Sequence, residues 1–174
     1  MPILASAFDL PPGRLLALDL GGARHGAAVC DALGVVARPL EVIPRAPTRA
    51  MDFARVAAVV DRERVVGVLV GMPDSQNRAA GGQLHTVYFP VSRQARWVQR
   101  YAGRLAGALQ VPLAFWGEDL STVDAARLVS EAGGHTPVDA AAAALILQDF
   151  LEARRFRRQD SQHREDASPA LEEM

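Results

Sequence analysis

Lysine is missing from this chain: all 19 basic side chains are Arg, set against 20 acidic ones for a formal net charge of -1. A compositional bias of the source genome explains that choice as well as any function does, and the overall charge singles out no partner. Cysteine is nearly missing too. The one Cys30 excludes an internal disulfide framework and fits a reducing cytoplasm, the expected location. Histidine is sparse, and His25, His85, His135 and His163 lie without ligand spacing, which argues against a zinc site. Residues Met1–Gly13 have neither a basic start nor a long apolar core, so neither a signal peptide nor a membrane span is expected. There is no internal repeat. What remains is 174 residues, 49% hydrophobic and 22% charged, enough for one domain that buries about two thirds of its unfolded surface.

Short apolar runs over Arg14–Leu20 and Ala27–Cys30, split by glycines, predict a hairpin. Leu33-Gly34 offers a second turn, and Val35–Ile43 a third strand. From Thr48 the apolar positions Phe53, Val56, Ala57 and Val60 follow helical spacing. Val65–Val70 is an unbroken run without polar residues, rich in β-branched Val and expected to be a strand covered on both faces. Asp74–Val91 has no clean period and reads as a long loop. Val98, Tyr101, Leu105 and Leu109 restore a helical face, Val111–Trp116 predicts a fifth strand, and Ser121–Glu131 a helix opened by Ser121 and Asp124. A last Ala-rich helix starts at Thr136-Pro137 and runs to about Arg155. The expected architecture is α/β, a mixed five-stranded sheet with helices on both faces. The expected division is an N-terminal extension over 1–13, the domain over 14–156 and a disordered polar tail over 157–174.

Asp19 is the odd residue. It sits in LALDLGG between Leu18 and Leu20, where a lone carboxylate costs several kcal/mol unless a turn or a cation compensates it. In open α/β sheets reactive groups collect at the carboxyl ends of strands. Asp19 ends the first strand, Glu118 and Asp119 follow the fifth, and Asp139 opens the last helix. Each has a plain structural alternative. Asp139 suits the positive end of a helix dipole, and Glu118 is acceptable as a loop acid. Jointly, two carboxylates about 4 Å apart repel by roughly 4 kcal/mol at an effective dielectric near 20, so a cluster takes up protons or divalent cations. Such ions suit phosphodiester hydrolysis. Arg93, Arg96, Arg100 and Arg104 share one helix side, open to phosphate contact or simply to solvent. Arg154, Arg155, Arg157 and Arg158 fit a helix C-terminus or a nucleic acid equally well.

Three segments together carry a resemblance. LALDLGGARHGAAVCD resembles the opening of the YqgF family, also called RuvX: an apolar strand, Asp-x-Gly-Thr, a basic residue, then Gly-x-Ala. VVGVLVGMP is similar to its central strand, and FWGEDLSTVDAARLV with PVDAAAAALILQDFLEAR to its later segments, over about Arg14–Arg155. The resemblance implies a ribonuclease-H-like fold and a metal-dependent endonuclease, either processing the 5′ end of pre-16S rRNA or resolving Holliday junctions. It implies a metal-binding catalytic triad on Asp19, Glu118 and Asp139, with Mg²⁺ or Mn²⁺. Arg24, Arg93, Arg96 and Arg100 are then the candidate nucleic-acid contacts. The partner would be structured or single-stranded RNA, or branched DNA, with no membrane, for a monomer or homodimer. Gly22 replaces the family's Thr, and Gly117-Glu118-Asp119 replaces its Asp-Glu-Arg. Two other readings stay open: a non-catalytic RNA-binding module, and an actin-like ATP-dependent sugar kinase, whose phosphate hairpin Asp-Leu-Gly-Gly also resembles but whose two domains need a longer chain.

Overall fold

The computed structural model describes residues 3–73, 92–117 and 137–166, with the side chains of 164–166 set aside. The loop over Asp74–Val91 and the helix over Ser121–Glu131 lie outside the described residues. Five strands form one sheet: β1 (Leu15–Leu20), β2 (Arg24–Cys30), β3 (Ala37–Pro44), β4 (Gly67–Met72) and β5 (Leu113–Gly117), in the order β3-β2-β1-β4-β5. β1–β2 and β2–β3 are antiparallel, whereas β4 is parallel to both β1 and β5. The expected mixed sheet of five strands is therefore present, each strand shifted by up to a few residues from its apolar run. Val35 and Val36, expected in β3, instead stand exposed in the turn before it. There the Asp31 carboxylate accepts the Val35 N–H at 2.7 Å, closing the turn before the strand begins.

Helices cover both faces. α1 (Arg49–Glu63) and α2 (Arg93–Ala108) lie on one; α3 (Val138–Asp166) lies on the other, across β2, β3 and β1. α1 starts where Thr48 accepts the Met51 N–H, and α2 where Ser92 accepts the Ala95 N–H. Of the disordered polar tail expected over 157–174, residues 167–174 lie outside the described residues, whereas 157–166 continue α3 as helix to Asp166. Its residues there are mostly Arg, Gln, Glu and Asp, which lose little rotamer freedom in a helix or bond along it. One such bond runs from the Ser161 hydroxyl to the Arg157 carbonyl. Residues 3–13, read as an extension, also join the core. Ala7 and Leu10 are buried, Ile3 bridges to Leu113, and a short 3-10 turn covers Ala7–Asp9.

Alternation along β1 decides which side chain meets which layer. Leu16, Leu18 and Leu20 enter the core under α1 and α2, while Leu15 and Ala17 enter the core under α3. The α3 core is aromatic at its centre: Trp116 and Phe150 meet edge to face at 5.2 Å, and Phe8 closes on Trp116 at 5.6 Å. Phe150 is fully buried among them. Phe150→Ala is expected to cost about 3–5 kcal/mol, because the edge-to-face partners cannot collapse into the gap. Chemical denaturation with an unchanged m-value checks it.

Candidate active site

The parity that sends Leu15 and Ala17 toward α3 sends Asp19 the same way. Its direct partner across the β1–β2 pair is Gly26. A Cβ built on Gly26 would stand 1.8 Å from the Asp139 carbonyl oxygen and 3.1 Å from the Ala140 nitrogen. The first turn of α3 therefore rests on the bare backbone of β2, and only glycine permits that approach. The result places Asp139 beside Asp19, the first residue of interest joined to the third across 120 positions of chain.

The electrostatics register the encounter. Asp19 is partly buried, and its carboxyl titrates above the ordinary Asp range, first because burial disfavours the charge and second because the Asp139 charge repels it. Asp139 has a counter-charge: the Arg24 Nε donates to its Oδ2, from the opening residue of β2. Arg24 is well exposed, whereas Asp139 is about one-third exposed, so the pair forms a rim rather than a core contact. Asp139 also stands in the first turn of a 29-residue helix, where the backbone dipole favours a negative charge.

Of the candidate residues, the structure thus brings Asp19, Asp139 and Arg24 together. Glu118 lies outside the described residues. Arg93, Arg96 and Arg100 are exposed along α2, on the sheet face opposite to the one Asp19 enters. Among the described residues, no group of three His, Cys, Asp or Glu side chains forms a metal cage.

On that opposite face the sequence reading passed over a buried polar cluster. Asp52 of α1 and His25 of β2 are both fully buried. Asp52 accepts the Tyr101 hydroxyl at 2.7 Å, the Arg45 Nε at 3.1 Å and the Ala46 N–H at 3.1 Å. Burial pushes its pKa up, but these donors together outweigh burial and hold the carboxyl below its usual range. His25 Nε2 lies 3.0 Å from the Tyr101 oxygen, and burial lowers the imidazole's pKa, keeping it neutral. The signal was present: Asp52 lies one helical turn before Val56, on the same apolar stripe, as Asp19 interrupts an apolar strand.

A mixed sheet of this order, with, among the described residues, two helices on one face and one on the other and a central-strand acid facing the latter, is a ribonuclease-H-like architecture. Thermus thermophilus RuvC in complex with a Holliday junction substrate shares it, at a TM-score of 0.52 and 21% identity over 82% of this chain and 96% of that one. The family model described as RuvX, Holliday junction resolvase, matches residues 13–153, and the chain belongs to that family. A protein of Gloeobacter violaceus named "Putative pre-16S rRNA nuclease" is 34% identical, over 85% of this chain and 89% of that one. One of the same name in Anaeromyxobacter sp. is 37% identical, over 81% and 98%. By family and fold the chain is a nuclease, an enzyme that hydrolyses phosphodiester bonds of nucleic acid.

Two outcomes follow from the geometry. Gly26→Ala forces backbone against backbone, so it should destabilise the fold by about 2 kcal/mol or more and abolish activity, read by thermal melting and cleavage. Asp19→Asn should act oppositely on stability. A carboxyl with a raised pKa favours the folded state when protonated, so its ionisation costs stability as pH rises from about 4 through the folded-state value. At pH 7 the variant should melt about 2–4 °C higher, the equivalent of roughly 1 kcal/mol in a domain of this size. A lower melting point would contradict the repulsion.

Proposed function

We propose that this nuclease is a divalent-metal-dependent endonuclease that processes the 5′ end of pre-16S rRNA, with Asp19, Glu118 and Asp139 as its catalytic acids. The observation that carries the proposal is the meeting of Asp19 with Asp139 at the end of the central strand, brought about by Gly26. Structural service alone explains that meeting poorly, since the two carboxylates raise each other's energy. The name shared by the relatives supports the RNA substrate.

The donor set fits a hard cation. Both groups are carboxylates with oxygen donors, the local excess is negative, and the Arg24 guanidinium already stands as a positive charge on Asp139. Asp19 and Asp139 would hold Mg²⁺ or Mn²⁺, with Glu118 completing the set. Bound divalent ions supply activation of a water and stabilisation of the leaving oxygen.

The chain's own residues do the rest. Glu118 orients the attacking water. Arg24 exchanges its contact with Asp139 for a phosphate oxygen of the substrate, a charge-assisted contact of the kind guanidinium makes well. Arg93, Arg96 and Arg100, exposed on α2 across the sheet from the acids, would contribute a separate, salt-dependent contact with the nucleic acid. The protein works in the cytoplasm, and no described helix is long and apolar enough to cross a membrane. The family model's description favours a second reading, resolution of four-way DNA junctions, which would require a two-fold dimer to cut two strands symmetrically.

Parallel cleavage of a pre-16S 5′ leader, an unstructured RNA and a four-way DNA junction, each in Mg²⁺ and in Mn²⁺, tests the proposal. The leader should be cut best. Asp19→Asn, Asp139→Asn and Glu118→Gln should each lower the rate by about 10³-fold, roughly 4 kcal/mol of barrier. Preferred cutting of the junction by a dimer would replace the RNA assignment. Activity that survives in all three variants would move the site elsewhere.

A further inference from the structure

The turn joining β1 to β2 is three residues long, Gly21-Gly22-Ala23, with Asp19 just before it and Arg24 just after. It is folded tightly on itself: a Cβ on Gly21 would lie 2.4 Å from the Arg24 carbonyl oxygen. Two of its carbonyls are held by one residue. The Arg45 N–H donates to the Ala23 carbonyl at 3.1 Å, and Arg45 Nη1 donates to the Gly22 carbonyl at 3.1 Å.

The same guanidinium is fixed from behind. Its Nε donates to Asp52, which is clamped by Tyr101 and Ala46, and its plane lies over Trp97 at 5.5 Å and Tyr101 at 5.4 Å. A buried ion pair of this kind is weak evidence of stability, since well-packed apolar residues would serve as well. What it supplies is a defined position, and Arg45 is the member that reaches the turn.

Resting on the reading of Asp19 and Asp139 as catalytic acids, we propose that Arg45 is a positioning residue for the nuclease reaction. Braced by Asp52, Tyr101 and Trp97, it fixes the Gly21–Ala23 turn and thereby the placement of Asp19 and Arg24 relative to Asp139. It acts through the turn and touches no substrate.

The test compares Arg45→Gln and Arg45→Lys with Arg62→Gln, which removes a guanidinium of α1 that pairs, among the described residues, with Glu41 and Glu63. Three measurements are made: hydrogen exchange of the peptide over residues 20–26, Mn²⁺ affinity by calorimetry, and steady-state kinetics giving kcat and KM well below the melting temperature. Arg45→Gln should speed exchange in the turn and leave the centre of the sheet protected. It should weaken Mn²⁺ binding and lower kcat by about 10–100-fold with KM changed less than about threefold. Arg45→Lys, which keeps one of the donated bonds, should fall between, and Arg62→Gln should match the wild type. Exchange in the turn that does not change, or a kcat that holds while the turn loosens, overturns the proposal. A wild type that cleaves nothing overturns the nuclease reading instead. Mn²⁺ affinity then decides the role of Arg45: weaker binding in Arg45→Gln upholds it, and equal binding ends it.

Discussion

The missing side chain at Gly26 is the constraint on which the rest of the site depends. β2 leaves its backbone uncovered at one position, and the first turn of α3 occupies the space to within 1.8 Å of where a Cβ would be. Because Gly26 faces Asp19 across the ladder, the helix start and the strand end share a spot about one strand spacing wide. Segments more than a hundred residues apart are thereby brought into register by one backbone-to-backbone approach.

The two faces of the sheet divide the work. The α3 face is apolar at its centre, where Trp116, Phe150 and Phe8 meet and the Trp116 indole N–H donates to Asp149, and it turns acidic at the edge where Asp19 and Asp139 meet. The α1 and α2 face carries its polar cluster deep under the helices, where Asp52 gathers three donors. Arg45 links the faces, because its guanidinium leaves the buried carboxylate and ends on the turn that leads from Asp19 to Arg24. The acidic edge is thus supported by a network lying behind it rather than by residues beside it.

Much of the architecture was legible because the chain alternates plainly. All five apolar runs led to strands, and the run at Val65–Val70 enters β4 (Gly67–Met72), buried on both faces as its lack of polar residues requires. Asp19 stood out as a carboxylate in an apolar run, and Asp139 as an acid opening a helix. Their nearness was not legible, because it depends on a helix crossing a strand at one glycine, a contact that no local period encodes. Asp52 was overlooked although it sits on the apolar stripe of α1, since spacing was counted on hydrophobic residues alone. The helix beyond residue 157 was missed for a related reason: polar composition was read as disorder, whereas a helix already begun can continue through residues that would not start one.

Alternation in β1 has one more effect, on how faithfully the chain reaches its native pairing. Displaced by a single position, β1 would turn Asp19 into the dry layer under α1 and α2, which holds the buried carboxylate of Asp52, and would move Leu16, Leu18 and Leu20 out of that core to the α3 face. Mispaired sheets therefore carry a heavy penalty at the very residue proposed to do the chemistry.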